Sequence, residues 1–151
     1  MPMQKRSVLL IAAAAFVAGL VVRGELAPVS PTVSAQAATR VFELRTYTAP
    51  EGKLDALNAR FRDHTVALFK KHGITSIGYW TPQDAPTSQN TLVYLISHAS
   101  REAAKTNWAA FQADPDWVKA RTASEVNGRL TVTPGGVVSV FLTPTNYSPM
   151  K

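Results

Sequence analysis

Between residues 40 and 73 the sequence changes its period, and that change limits what the chain can fold into. In RVFELRTYT, residues 40–48, Val41, Glu43, Arg45 and Tyr47 share one face of an extended segment. Phe42, Leu44, Thr46 and Thr48 share the other. Ala49-Pro50-Glu51-Gly52-Lys53 follows, with Pro50 suited to a first helical position and Glu51 opposed to the positive end of a helix dipole. Leu54, Leu57, Phe61, Thr65, Leu68 and His72 then recur at helical spacing until Gly73 stops the run. A strand that feeds an amphipathic helix of about six turns is the first half of a small α+β unit.

At 151 residues there is room for one domain, and the first 37 lie outside it. Lys5 and Arg6 precede residues 8–22, which carry no charge, and a polar, Pro-containing tract follows. This order of zones is that of a secretory signal, and Ala35-Gln36-Ala37 offers a small-x-small cleavage site. The expected organisation is therefore a leader over 1–37 and a folded domain over 38–151, exported to the periplasm or secreted. An uncleaved anchor formed by residues 8–22 is the alternative, because that run lies just below the length that spans a bilayer comfortably. A mitochondrial presequence fits less well, since the leader has a continuous apolar core in place of spaced arginines.

Without the leader the formal charge falls from +6 to +4, with 13 basic residues against 9 acidic ones. Arg60, Arg62, Lys70 and Lys71 are interleaved with Asp55 and Asp63, which reads as a solvated helix face and argues against a nucleic-acid partner. The absence of cysteine excludes disulfides, thiolate metal sites and a cysteine nucleophile.

Residues 74–80 read as a second strand, with Gly78 leaving room for a bulge or a close approach. Residues 83–90 form a polar turn, and residues 91–98 (TLVYLISH) a third strand, antiparallel to the second. Ser100 caps a helix over 100–113 that carries Ala104, Trp108 and Phe111 on one stripe. Asp114-Pro115 restarts a short helix running to about Glu125. An edge segment over 130–133 and a fourth strand over 137–143 complete the chain, with an extended tail over 144–149. The order is βαββαβ, the ferredoxin-like pattern: a four-stranded antiparallel sheet with helices on one face. Residues 92–96 and much of 137–142 are apolar on both faces, whereas a sheet with one wet face alternates. A second copy packed sheet to sheet, giving a homodimeric α+β barrel, is the simplest cover.

The successive motifs FELRTYT, PEGK, KHGI, GYW, LVYLIS, WAAFQADPDW and FLTPTNYSP resemble the NIPSNAP family over residues 41–149. The resemblance implies the dimeric α+β barrel fold. Similar folds carry cofactor-light monooxygenases, haem-degrading enzymes and stress-response proteins, so fold alone does not assign activity. Many NIPSNAP relatives are mitochondrial and linked to membrane traffic or organelle quality control. The family supplies no agreed catalytic residues to carry over.

The candidates for chemistry are few. His64 and His72 lie about 12 Å apart along one helix and cannot share a metal without bending it; no two-His metal spacing occurs, and no metal or cofactor is expected. As a lone haem ligand, His64 or His72 would be the residue, against a structural role for both. Glu43 and Arg45 form either a register-fixing ion pair or an oxygen-holding pair. Tyr79, Trp80, Tyr94 and Trp108 read as packing aromatics whose polar tips can line a pocket. A pocket between the first helix and the sheet is expected to draw on Glu43, Arg45, Phe61, His64, Tyr79, Trp80 and Trp108 and to take a small apolar or aromatic ligand. No GxSxG, GxGxxG or GxxxxGK[ST] run is present. Two functions fit: a dimeric binding or interaction module, or a small oxygenase or isomerase, cofactor-independent or haem-linked, acting in that pocket.

Overall fold

Four strands follow from the alternating segments and pair in the order β2-β3-β1-β4, all antiparallel. They are β1 (Val41–Thr48), β2 (Thr75–Trp80), β3 (Thr91–His98) and β4 (Val137–Leu142). The structure, a computed structural model, describes residues 40–151. The leader, its cleavage site and the alternative anchor fall outside the described residues. With α1 (Leu54–Arg60), α2 (Val66–Lys71), α3 (Arg101–Ala113) and α4 (Pro115–Ser124), the topology is ferredoxin-like. Among the described residues no helix is long and apolar enough to cross a membrane.

The first helical stretch is less regular than its period suggests. Pro50 does not begin it. The Pro50 carbonyl instead accepts from Lys53 N at 3.0 Å in a turn that Gly52 closes at φ +69°, and α1 starts at Leu54. Between α1 and α2 the chain makes a π turn, Phe61–Thr65. Steps of four residues from Leu57 to Phe61 to Thr65 would drift about 40° each on an α-helix. The wider turn takes up that drift, so Leu57, Phe61, Thr65 and Leu68 all stay buried. Thr65 Oγ1 donates to the Arg60 carbonyl at 3.2 Å across the widened turn.

Both later helices are capped as their sequences require. Ser100 Oγ accepts from Ala103 N at 3.0 Å, and Asp114 Oδ1 accepts from Asp116 N at 2.8 Å ahead of Pro115. Asp114 Oδ2 also accepts from Lys71 Nζ at 2.8 Å and lies 2.6 Å from His72 Nε2, which ties α4 to the end of α2.

The segment over 130–133 is not a strand. Val132 donates to the Thr48 carbonyl and Thr48 to the Gly136 carbonyl, both at 2.8 Å, but Pro134 has no N–H to continue a ladder. Leu130, 1 % exposed, closes the core instead. The sheet register puts Glu43, Arg45 and Tyr47 on the helix-covered face, in line with Ile96, Tyr94 and Leu92 of β3 and Phe141, Ser139 and Val137 of β4. Gly78 takes part in a bulge between β2 and β3, and the Trp80 ring lies against it.

Among the described residues, no helix covers the other face of the sheet. Leu44, Thr46, Val93, Leu95, Val138, Val140, Leu142 and Trp80 form it, with Val138, Val140 and Trp80 about half exposed. One end is covered: Phe42 is buried beneath the Arg40 guanidinium, 5.3 Å above its ring, and lines a shallow groove with Pro144 and Met150 of the tail.

Candidate functional site

A buried carboxylate organises the covered face. Glu43 sits in the middle of β1, where the strand period turns it toward α3, and it is 1 % exposed. Its Oε1 accepts from Arg45 Nη1 and Ser139 Oγ, both at 2.6 Å. Its Oε2 accepts from Trp108 Nε1 at 2.8 Å and from His98 Nε2 at 3.0 Å. Four donors from β1, β3, α3 and β4 therefore meet on one side chain. Burial alone would raise this carboxyl, but the bonds from His98, Ser139, Trp108 and Arg45 outweigh it and lower its pKa to about 2. The carboxylate can only accept, so His98 Nε2 carries a proton; His98 Nδ1 is buried without a partner among the described residues.

Arg45 is fixed from several sides. Besides Glu43, its Nη2 donates to Tyr47 Oη at 3.3 Å, and its guanidinium lies 4.3 Å over the Trp108 ring. Burial would lower its pKa, and the neighbouring Tyr47, Tyr94 and Glu43 raise it above the usual arginine range. The Glu43–Arg45 pair is thus a structural knot in which every carboxylate oxygen is already committed, not an open acid or base.

Next to this knot, the sheet, the π turn and α4 border a half-open cavity of about 490 Å³. Its apolar wall comes from Tyr47, Phe61, Phe69, Phe111 and Trp117. These rings pack mainly edge to face: Tyr47 to Phe61 at 5.7 Å, Phe61 to Phe69 at 6.2 Å and Phe69 to Phe111 at 5.0 Å. Tyr47 and Phe69 connect the cavity to the knot, the first through Arg45 and the second through Trp108, 5.4 Å away. The polar wall carries Arg60, Arg121, Glu125 and Arg129. Arg60 Nη1 donates to Glu125 Oε1 at 2.8 Å, and its guanidinium lies 5.3 Å from the Trp117 ring. Arg60 Nε is buried without a partner among the described residues.

The expected pocket residues separate into four groups. Glu43, Arg45 and Trp108 come together in the knot, and Arg45 faces the helices. Phe61 lines the cavity. Tyr79 stacks on Tyr94 at 5.6 Å, and its hydroxyl pairs with Ser76 Oγ at 2.6 Å, as a packing residue beside the cavity. His64 and Trp80 are not brought to it: the π turn leaves His64 exposed, and strand alternation puts Trp80 on the helix-free face. The three histidines lie apart, His72 on Asp114 and His98 on Glu43. Among the described residues no group of His, Cys, Asp and Glu could hold a metal.

Arg60 corrects the sequence reading of that helix as a solvated charged face. Three residues after Leu57 it falls on the buried side, and it is 5 % exposed. His98 and Ser139 were not singled out from sequence, nor were Trp117, Arg121, Glu125 and Arg129. Strand pairing would have found Ser139, which sits opposite Arg45 in the register. The loop that carries Arg129 has no period to read.

Fold and site together define a ferredoxin-like α+β domain with an aromatic cavity between sheet and helices. The sequence profile of the NIPSNAP family matches residues 42–149, and the chain belongs to that family. Among solved structures it is similar to a NIPSNAP family protein with unknown function from Agrobacterium tumefaciens strain C58, at 21% identity and TM-score 0.63, covering 76% of this chain and 96% of that one. A second NIPSNAP family protein from the same strain matches at 20% identity and TM-score 0.63, over 74% of this chain and 99% of that one. An uncharacterized NIPSNAP-like domain protein from Burkholderia xenovorans matches at 20% identity and TM-score 0.61, over 74% and 90%. At these identities the likeness is one of fold. No curated protein sequence matches the chain.

Proposed function

We propose that the chain is an exported homodimeric binding module that holds a small ligand in the cavity beneath α4, without turnover. The observation that carries this reading is the cavity: about 490 Å³, within the range of small-molecule sites, with one wall of aromatic rings and a polar wall of arginines and threonines. Binding is favoured over catalysis because the carboxylates beside it are engaged, Glu43 by four donors and Glu125 by Arg60. Dimerisation is supported by the helix-free face. Fully burying a Val or Leu side chain is worth about 1.5–3 kcal/mol, and Val138, Val140, Leu142 and Trp80 are each still 40 % exposed or more. Contiguous apolar surface of this kind marks an interaction site. The charge order of the leader supports export, with Lys5 and Arg6 ahead of the apolar run.

Light scattering and dye titration test the proposal together. The wild type is expected to run as a dimer at micromolar concentration and Val140→Asp to dissociate or unfold. The neutral dye Nile red is expected to bind and to be displaced from Trp117→Ala. A monodisperse, stable wild-type monomer would remove the dimer. A Soret band or bound chromophore in the purified protein would move the reading to the oxygenase class.

A further inference from the structure

We propose that the cavity beneath α4 selects organic anions: a carboxylate held by arginines at the polar wall, joined to an apolar or aromatic body against the ring wall. The inference rests on reading the cavity as a ligand site and adds the ligand's charge and where that charge sits.

Three guanidiniums line the cavity against one carboxylate, that of Glu125. Glu125 is paired with Arg60, so it neutralises one of the three. Arg121 and Arg129 make no salt bridge among the described residues; Arg129 Nη1 donates only to Thr133 Oγ1, at 3.2 Å. The cavity therefore carries a surplus of two positive charges. Charges left over at a surface are ordinary, but Arg60 is not at the surface. Its side chain is 4 % exposed, and its Nε has no partner among the described residues, although buried donors are nearly always satisfied. A carboxylate in the cavity would meet the guanidiniums of Arg121 and Arg129, which line it and carry no counter-charge among the described residues, in the planar geometry that arginine favours.

The ring wall fixes the rest of the ligand. Phe61, Phe69 and Phe111 offer ring edges and faces with no polar atom, and Tyr47 and Trp117 add one polar tip each. A polar body would lose its hydration there without replacement, whereas an aryl or acyl body would not. The π turn contributes Phe61 and Thr65 to the cavity and follows directly on Arg60, so one local irregularity aims the polar and apolar walls into the same space.

The test uses the full chain and two matched pairs of probes, 2-naphthoate against 2-naphthamide and decanoate against decanol, followed by Trp fluorescence and calorimetry. The expected result is that at least one carboxylate binds ten times or more tightly than its neutral partner, and that added salt narrows the gap. Whether the naphthyl or the decyl pair binds more tightly distinguishes an aryl from an acyl body. Arg121→Gln with Arg129→Gln, both exposed and free of ion pairs, is expected to reduce the ratio at least threefold with little change in melting temperature. Arg60→Lys is the second variant, keeping the charge while losing the planar fork. Equal binding of each acid and its neutral partner overturns the anion selectivity and leaves the cavity as an apolar site. Failure of all four probes to bind at 1 mM, by the same calorimetry, overturns both readings.

Discussion

Replacing Glu43 by Gln changes one oxygen to nitrogen in a side chain that receives four donors. The amide oxygen can keep two of them, Arg45 and Ser139. Its NH₂ then faces His98 and Trp108. His98 can meet it by moving its proton to Nδ1, but Trp108 Nε1 has no lone pair to offer and is left unpaired. A buried unsatisfied donor costs about 1–3 kcal/mol, and Arg45 loses its counter-charge as well. The same four bonds hold the Glu43 carboxyl low. Its pKa falls from 4.5 to about 2 on folding, which corresponds to about 3 kcal/mol of stability at neutral pH. Because the folded value is the lower one, that contribution is complete above about pH 4.5 and is lost as the pH drops toward 2. Urea unfolding of Glu43→Gln is therefore expected to show a loss of about 3 kcal/mol at pH 7 with an unchanged m-value. The difference from wild type should shrink steadily between pH 4.5 and pH 2.5. A loss below about 1 kcal/mol at pH 7, or one that does not change with pH, would refute the account of the knot.

Three further outcomes are expected. Ser100→Ala removes the bond from Ala103 N and should cost about 1 kcal/mol by urea unfolding. Gly78→Ala puts a Cβ within 2.6 Å of the Trp80 ring, which is exposed enough to swing away, so stability should change by less than about 1 kcal/mol while sedimentation shows a weakened dimer. A protein beginning at Ala38 should fold, because the sheet starts at Val41 and the core formed by the described residues follows it. Insolubility of that protein beside a folded full chain would put the domain boundary elsewhere.

Periodicity carried much of the fold. The alternation in residues 40–48 and the cap at Ser100 define local states that tertiary packing did not override, so β1, β3 and α3 lie where the pattern puts them. The edge segment over 130–133 failed because β-branched residues suggested a strand, while Pro134 and the turn toward Gly136 prevent a ladder. The Glu43–Arg45 pair was legible because both residues sit on one strand. Its completion was not, since His98, Trp108 and Ser139 come from three other elements, and only pairing register brings them to one carboxylate. Arg60 shows the same limit: a charged residue on a mixed-charge helix reads as solvated until α4, with Trp117 and Glu125, is packed over it. The cavity's polar wall is thus a product of helix docking, which sequence spacing does not encode.

Native mass spectrometry of protein purified from its own host tests the central claim most directly, because it reports assembly and retained ligand in one spectrum. A dimeric binding module predicts a mass of two folded chains plus one or two small organic molecules that leave on activation in the gas phase. A single bare chain at micromolar concentration would contradict it.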